Sequence, residues 1–131
     1  MHGEMNHDFP PDIKQFIADN IDSIAQLELL LLLRSQPAKS WTAGEAASAL
    51  YAAPDVIALQ LADLQSKHLL AAGSQESSFA YRPQTGELAH LVDRLAELYR
   101  DRRVAVVSAV YSKPVDKIRR FADAFRLRKD K

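Results

Sequence analysis

The side chains best suited to acid–base or metal chemistry are the four histidines, at positions 2, 7, 68 and 90. Their spacing does not match that of metal ligands. His90 and Asp93 lie one helical turn apart, but no serine or cysteine nearby could act as a nucleophile. The chain has no cysteine, and its four glycines are too widely separated to form a phosphate-binding loop. We therefore expect no catalytic residues, no metal site and no cofactor.

Binding chemistry is better supported, because the charged residues are unevenly distributed. Residues 1–98 hold 13 acidic and 6 basic side chains, whereas residues 99–131 hold 4 acidic and 11 basic ones. This asymmetry predicts an electrostatic partner for the C-terminal part, which could be a nucleic acid, an acidic protein or the acidic half of a second copy. The alternative is a solvated basic face that balances the acidic half of the same chain.

The elements that would position a binding site lie in the segment Ser40–Pro83. A short edge strand around Trp41 is followed by Thr42-Ala-Gly-Glu45, a capping-box pattern that begins a helix. Ala52-Ala-Pro54 then forms a turn, and its proline is suited to the first turn of a second helix. These signals predict two helices joined by a short turn.

The second helix and the segment after it complete a recognisable motif. One buried stripe of that helix is formed by Ile57, Leu61 and Leu64. Two short strands follow, Leu69–Ala72 and Phe79–Tyr81, joined by a wing tip of residues 73–78. Strand, helix, turn, helix and hairpin in this order predict a winged helix-turn-helix.

Helices flank the motif on both sides. Two are predicted between Pro11 and Ser35, the second beginning with the capping pattern Ser23-Ile-Ala-Gln26. After the motif, one long helix is predicted from about Thr85 to Tyr111, and an amphipathic helix follows within residues 115–127. We expect a mainly α fold with a small β-hairpin, as a single domain over residues 9–127. Residues 1–8 are expected to be disordered, and residues 128–131 form a basic tail.

The segment Ser40–Pro83 resembles winged helix-turn-helix regulators of the MarR and ArsR type, over about a third of the chain. In MarR-like proteins the helices before and after the winged motif pair two subunits, so the resemblance implies a homodimer without a cofactor. The apolar side chains expected at the subunit contact are Leu88, Leu91, Leu95, Leu98, Phe121 and Phe125. The alternative for the leucine seam is packing within one chain, because the seam spans under two heptads.

The same resemblance implies that the second helix of the motif contacts DNA. The candidate contacts to phosphates or base edges are Lys39, Thr42, Gln60, Lys67 and Arg82. The outward positions of that helix are Asp55, Val56, Ala58, Leu59 and Asp63, which do not suit base readout. The two aspartates would repel phosphates, and the wing carries Glu76 but no basic residue.

Three functional hypotheses follow from the sequence. The first is a winged helix-turn-helix transcription regulator that binds duplex DNA. The second is a protein-interaction module on the same scaffold, with Asp55, Val56, Leu59 and Asp63 facing a protein partner. The third is a ligand sensor with an apolar pocket between the motif and the long helix.

The N-terminal residues and the apolar runs predict where the protein acts. The segment MHGEMNHDFPPD lacks the cationic start and apolar core of a secretory signal. The most apolar run, Leu29–Leu33, is far shorter than the roughly 20 residues that span a bilayer. We therefore expect a cytoplasmic protein. Contact of the cationic C-terminal helix with a membrane surface ranks behind its binding to nucleic acid or protein.

Overall fold

A computed structural model describes residues 9–112, and within them the chain forms six helices and three short strands. In chain order these are α1 (Pro11–Asn20), α2 (Ile24–Ser35), β1 (Trp41–Thr42), α3 (Ala43–Leu50), α4 (Pro54–Ser66), β2 (Leu70–Ala72), β3 (Ser78–Tyr81), α5 (Gly86–Asp101) and α6 (Arg103–Tyr111). The predicted fold class, mainly α with a small β-hairpin, is confirmed. The predictions for residues 1–8, for the C-terminal helix with Phe121 and Phe125, and for the basic tail lie outside the described residues.

Both predicted capping patterns begin helices. The Thr42 hydroxyl accepts a hydrogen bond from the Glu45 N–H, and the Glu45 carboxylate accepts one from the Thr42 N–H, both at 3.1 Å. At α2, the Ser23 hydroxyl accepts from the Gln26 N–H, but the Gln26 side chain accepts from the N–H of Asp22. These bonds satisfy N–H groups at the helix starts that have no partner inside the helix.

Two helices and a three-stranded sheet form the winged motif. Tyr51, in the left-handed conformation with φ 55°, ends α3, and Pro54 opens α4. The predicted stripe of Ile57, Leu61 and Leu64 is buried, as expected. The strands are antiparallel in the order β1–β3–β2, so the predicted edge strand at Trp41 and the hairpin are confirmed. The first hairpin strand begins at Leu70, one residue later than predicted.

The flanking helices share one core with the motif. The most apolar helix, α2, has its leucines 27, 29, 30 and 33 fully buried, while Leu31 and Leu32 are half-buried. Side chains from α1, α5 and α6 complete the cluster, namely Ile13, Phe16, Ile17, Val92, Leu95, Tyr99, Val106 and Val110. The helix α2 is therefore central to the core.

The prediction of one continuous helix from Thr85 to Tyr111 is wrong. The helix is interrupted at Arg102, whose φ of −135° and ψ of 56° are not helical. Beyond the break, α6 turns Val106 and Val110 into the core that α1 and α5 share. Arg103 fixes the junction, because its guanidinium lies 4.2 Å from the centre of the Tyr99 ring and donates to the Tyr99 hydroxyl at 2.8 Å.

Among the helices of residues 9–112, none combines the length and apolar character needed to cross a bilayer.

Candidate functional site

The outward face of α4 is apolar. Leu59 is 75% exposed and Val56 is 50% exposed, and the two lie three residues apart on one side of the helix. Tyr51, in the turn before α4, is 97% exposed. We call Tyr51, Val56 and Leu59 the α4 patch. Asp55, also exposed, adds a carboxylate next to Val56.

The sequence predicts that Asp63 faces outward from α4, but in the structure its carboxylate is bound by two side chains of the same chain. Its Oδ2 accepts hydrogen bonds from Gln26 Nε2 and from Lys67 Nζ, both at 2.8 Å. Burial raises the pKa of Asp63, but these hydrogen bonds and the Lys67 charge outweigh burial and hold that pKa below its ordinary value. The carboxylate thus joins α4 to α2. This corrects the prediction that Asp63 faces a protein partner.

Lys67 is engaged inside the domain as well. Besides its bond to Asp63, its ammonium group donates to the backbone carbonyl of Asn20 at 3.2 Å and lies 3.9 Å from a carboxylate oxygen of Asp22. The side chain is only 22% exposed. Lys67 was predicted to contact DNA. Its ammonium group is instead bound by carboxylate and carbonyl oxygens of the same chain.

A cleft of about 220 Å³ lies between the start of α2 and the outer side of α4. We call it the acidic cleft, and its lining residues are Asp22, Ser23, Gln26, Leu59, Gln60 and Asp63. This lining holds two carboxylates and one exposed leucine, and the Lys67 ammonium group lies 2.8 Å from an Asp63 oxygen and 3.9 Å from an Asp22 oxygen. The Oε1 atom of Gln60 is enclosed and has no hydrogen-bond partner among the described residues.

The structure does not gather the five predicted DNA contacts on one surface. Gln60 and Lys67 face the start of α2 and the end of α1, as described above. Lys39 lies over the Trp41 ring at 4.1 Å, beside β1. Thr42 caps α3 together with Glu45, so a carboxylate already occupies the helix start that a phosphate would need.

Arg82 is the predicted contact most available to an anion. It is exposed, follows β3 and lines a cleft with Gln65, His68 and Gln84. Its guanidinium makes no hydrogen bond or ion pair with any residue between 9 and 112. The wing tip lies at the other end of the hairpin and exposes Glu76.

The prediction that Leu95 lies at a subunit contact is wrong, because Leu95 is fully buried in the core of its own chain. Leu88, Leu91 and Leu98 are half-buried against the same core. The inward positions of α5 are instead centred on Val92, Leu95 and Tyr99. The leucine seam therefore stabilises one chain, which was the alternative open in the sequence.

Sequence reasoning missed a second exposed apolar surface, on α6. Val104 is 79% exposed and Tyr111 is 65% exposed, seven residues apart and so on one side of the helix. Their i, i+7 spacing in the sequence was a usable signal.

The sequence predicted an apolar pocket between the winged motif and the long helix, but the cleft found against that helix is formed with α1. A cleft of about 330 Å³ does lie against α5 at Glu87, Leu88 and Leu91, but its other wall is α1. Four polar side chains of α1 line it, namely Asp12, Gln15, Asp19 and Asn20. Within residues 9–112, no group of three or more metal-binding side chains comes together.

Comparison with known proteins found no family model that matches the chain and no matching curated protein.

Proposed function

We propose that this protein is a cytoplasmic, non-enzymatic winged helix-turn-helix protein of the transcription-regulator type that acts by binding a basic protein partner through α4. The observation that carries the proposal is the α4 patch, where Leu59 is three-quarters exposed on the helix that would otherwise read DNA. An exposed apolar surface beside acidic groups is typical of a protein contact rather than a nucleic-acid contact.

The energetics favour protein over DNA on this face. Fully burying a side chain such as leucine or valine against a partner contributes about 1.5–3 kcal/mol. A DNA duplex offers little apolar surface in exchange, apart from thymine methyl groups, and Asp55 would face its phosphates. None of the exposed positions Asp55, Val56, Ala58 and Leu59 carries a donor for base edges.

Site-specific cross-linking tests the proposal. A photoreactive amino acid replaces Leu59 in the full chain, in cells that produce the protein naturally. The matched control carries the same group at Ser48, an exposed position on α3. We expect a discrete protein adduct at position 59 only, and a weaker adduct when Asp55→Lys is added, because a basic partner is then repelled. Equal adducts at both positions, or adducts to nucleic acid, would contradict the proposal.

A second candidate function is direct DNA binding through the phosphate backbone. It is favoured by the exposed Arg82 guanidinium, which has no acidic partner within residues 9–112. Fluorescence anisotropy with a mixed-sequence duplex would then show affinity that falls steeply with salt and drops in Arg82→Ala. Asp55→Asn would strengthen binding if α4 met DNA. No binding at low ionic strength removes this candidate.

A homodimer is part of the proposal, in keeping with the resemblance to MarR-type regulators. The α6 surface of Val104 and Tyr111 is the apolar face that supports a contact with a second copy. Light scattering on the full chain tests it, and we expect Val104→Asp to shift the mass from two chains to one. A monomeric wild-type chain would overturn this part and leave the α4 proposal standing.

A further inference from the structure

We propose that α6 is exchanged between two copies of this chain. In the exchanged dimer, α5 and α6 join into one continuous helix through Arg102, and the α6 of each copy packs on α1 of the other copy. The inference rests on the homodimer of the proposed function and specifies how its two chains are held together.

The first support is that the helix breaks among residues that favour a helix. No proline or glycine lies between Gly86 and Ser112, and arginine is among the better helix formers. Arg102 is the single non-helical residue between α5 and α6, and its neighbours Asp101 and Arg103 are both helical. A change of backbone conformation at one residue is therefore enough to join the two helices.

The second support is the unassisted start of α6. Its N-cap residue, Arg102, makes no capping hydrogen bond with its side chain, whereas Thr42 and Thr85 cap the starts of α3 and α5. In a continuous helix the N–H groups of residues 103–105 would donate to the carbonyls of residues 99–101. Joining the helices therefore gives these groups the partners that a helix start leaves open.

The third support is that the exchange preserves the core. Val106 and Val110 of α6 are buried, and the helix packs mainly on α1 and α5. A second copy presents an identical surface on α1, so an α6 that arrives from that copy makes the same contacts. The burial of the valines is thus equal in the closed chain and in the exchanged dimer, and the joined helix is the gain.

The exchange also brings the two breaks together, because each α6 must begin where the α5 of the other copy ends. Val104 lies two residues beyond the break and is among the most exposed apolar side chains of residues 9–112. It would be covered at this new contact between the copies. Arg100, Arg102 and Arg103 approach their own copies there as well, so salt that screens these charges should favour the exchange.

Cross-linking in the full chain tests the exchange, because the protein contains no cysteine of its own. The probe is Lys14→Cys/Ser108→Cys, at two exposed residues that line one cleft between α1 and α6. The matched control is Gln15→Cys/Glu87→Cys, at two exposed residues that line the cleft between α1 and α5. Exchange of α6 moves the first pair onto different copies and leaves the second pair within one chain.

Each variant is refolded from urea at high protein concentration in about 0.5 M salt, which screens the arginines at the break. The dimer is isolated by size exclusion, treated with a short bismaleimide and analysed on a denaturing gel. We expect covalent dimers to be at least about tenfold more abundant with the probe than with the control, because only the probe cysteines face each other across the two copies.

A pair of variants at Arg103 tests the joined helix. Arg103→Ala and Arg103→Pro both lose the contact with Tyr99, so they differ mainly in the backbone. Proline suits the first residue of α6 but not the interior of a joined helix. We expect the association constant of the dimer to be at least about a hundredfold lower for Arg103→Pro than for Arg103→Ala.

Links within one chain for both cysteine pairs, or equal association constants for the two Arg103 variants, would overturn the inference and leave an unexchanged homodimer. A wild-type chain that stays monomeric at every concentration would overturn it together with the proposed homodimer. Neither result bears on the proposed contact of α4 with a protein partner, which the cross-linking at position 59 tests separately.

Discussion

The Nζ atom of Lys67 lies 2.8 Å from Oδ2 of Asp63, one turn away on the same helix, and the same oxygen accepts a hydrogen bond from Gln26 on α2. Two residues that the sequence suggested for contacts outside the domain thus bind one another inside it. This arrangement leaves the apolar residues as the main outward feature of α4, and it gives the first prediction.

Replacing Asp63 with alanine should destabilise the fold. Gln26 Nε2, on a side chain only 2% exposed, would lose its acceptor, and Lys67 would lose its closest charge partner. We expect the free energy of unfolding in urea at pH 7 to fall by about 1–3 kcal/mol. The control Asp55→Ala, at an exposed position, should lose at most about 1 kcal/mol.

The effect of Asp63 should also depend on pH. Because the folded-state pKa is lowered, Asp63 stabilises the fold above the unfolded-state pKa of about 3.9 and loses this contribution as the pH falls through the folded-state value. The difference between wild type and Asp63→Ala should therefore shrink between pH 5 and pH 2. A constant difference over that range would show that the ion pair is not its source.

Tyr81→Phe should leave the protein as stable as wild type at pH 7, or stabilise it by up to about 1 kcal/mol. The Tyr81 hydroxyl is buried without a hydrogen-bond partner among the described residues, so removing it removes a desolvation penalty. Urea unfolding measures the change. Tyr51→Phe, at a fully exposed position, should have no effect.

Tyr81 should also make the wild type sensitive to alkali. Burial and the nearby Asp93 carboxylate raise the pKa of Tyr81 to about 12, against an opposing effect of Arg34. Because the folded-state pKa is raised, the titration of Tyr81 leaves stability unchanged below pH of about 10 and lowers it as the pH rises toward 12. Tyr81→Phe should lose less stability over this interval, and equal losses would contradict the assignment.

Gly73→Ala should destabilise the hairpin, whereas Gly86→Ala should not. A Cβ at Gly73 would lie 2.7 Å from the Ser40 hydroxyl oxygen, too close for the wing to keep its position against β1. We expect a loss of about 1–3 kcal/mol in thermal or urea unfolding. A Cβ at Gly86 meets nothing within 4 Å, so that variant should be neutral or stabilised by up to about 1 kcal/mol.

Leu95→Ala should lower the free energy of unfolding by about 2–5 kcal/mol, because it opens a cavity in a fully buried part of the core. Leu59→Ala removes the same atoms from an exposed site and should stay within about 0.5 kcal/mol of wild type. Similar losses at both positions would place Leu59 in an internal contact and count against the α4 patch.

Local chemistry was enough to predict the elements of the winged motif. The Thr42–Glu45 capping box, the proline that opens α4 and the stripe of Ile57, Leu61 and Leu64 act within a few residues of each other, so their geometry follows from sequence spacing. The apolar outward positions Val56 and Leu59 follow from the same periodicity. For these features the sequence by itself was sufficient.

Only the tertiary structure decided which polar groups remain available. Gln26 and Asp63 are separated by 37 residues, and nothing local indicates that they meet. No proline or glycine marks the break at Arg102 in the sequence. The break allows Val106 and Val110 to enter a core shared with α1. Helices and caps are determined by hydrogen bonds between residues close in sequence. Burial and side-chain pairing depend on residues that the chain brings together only when it folds.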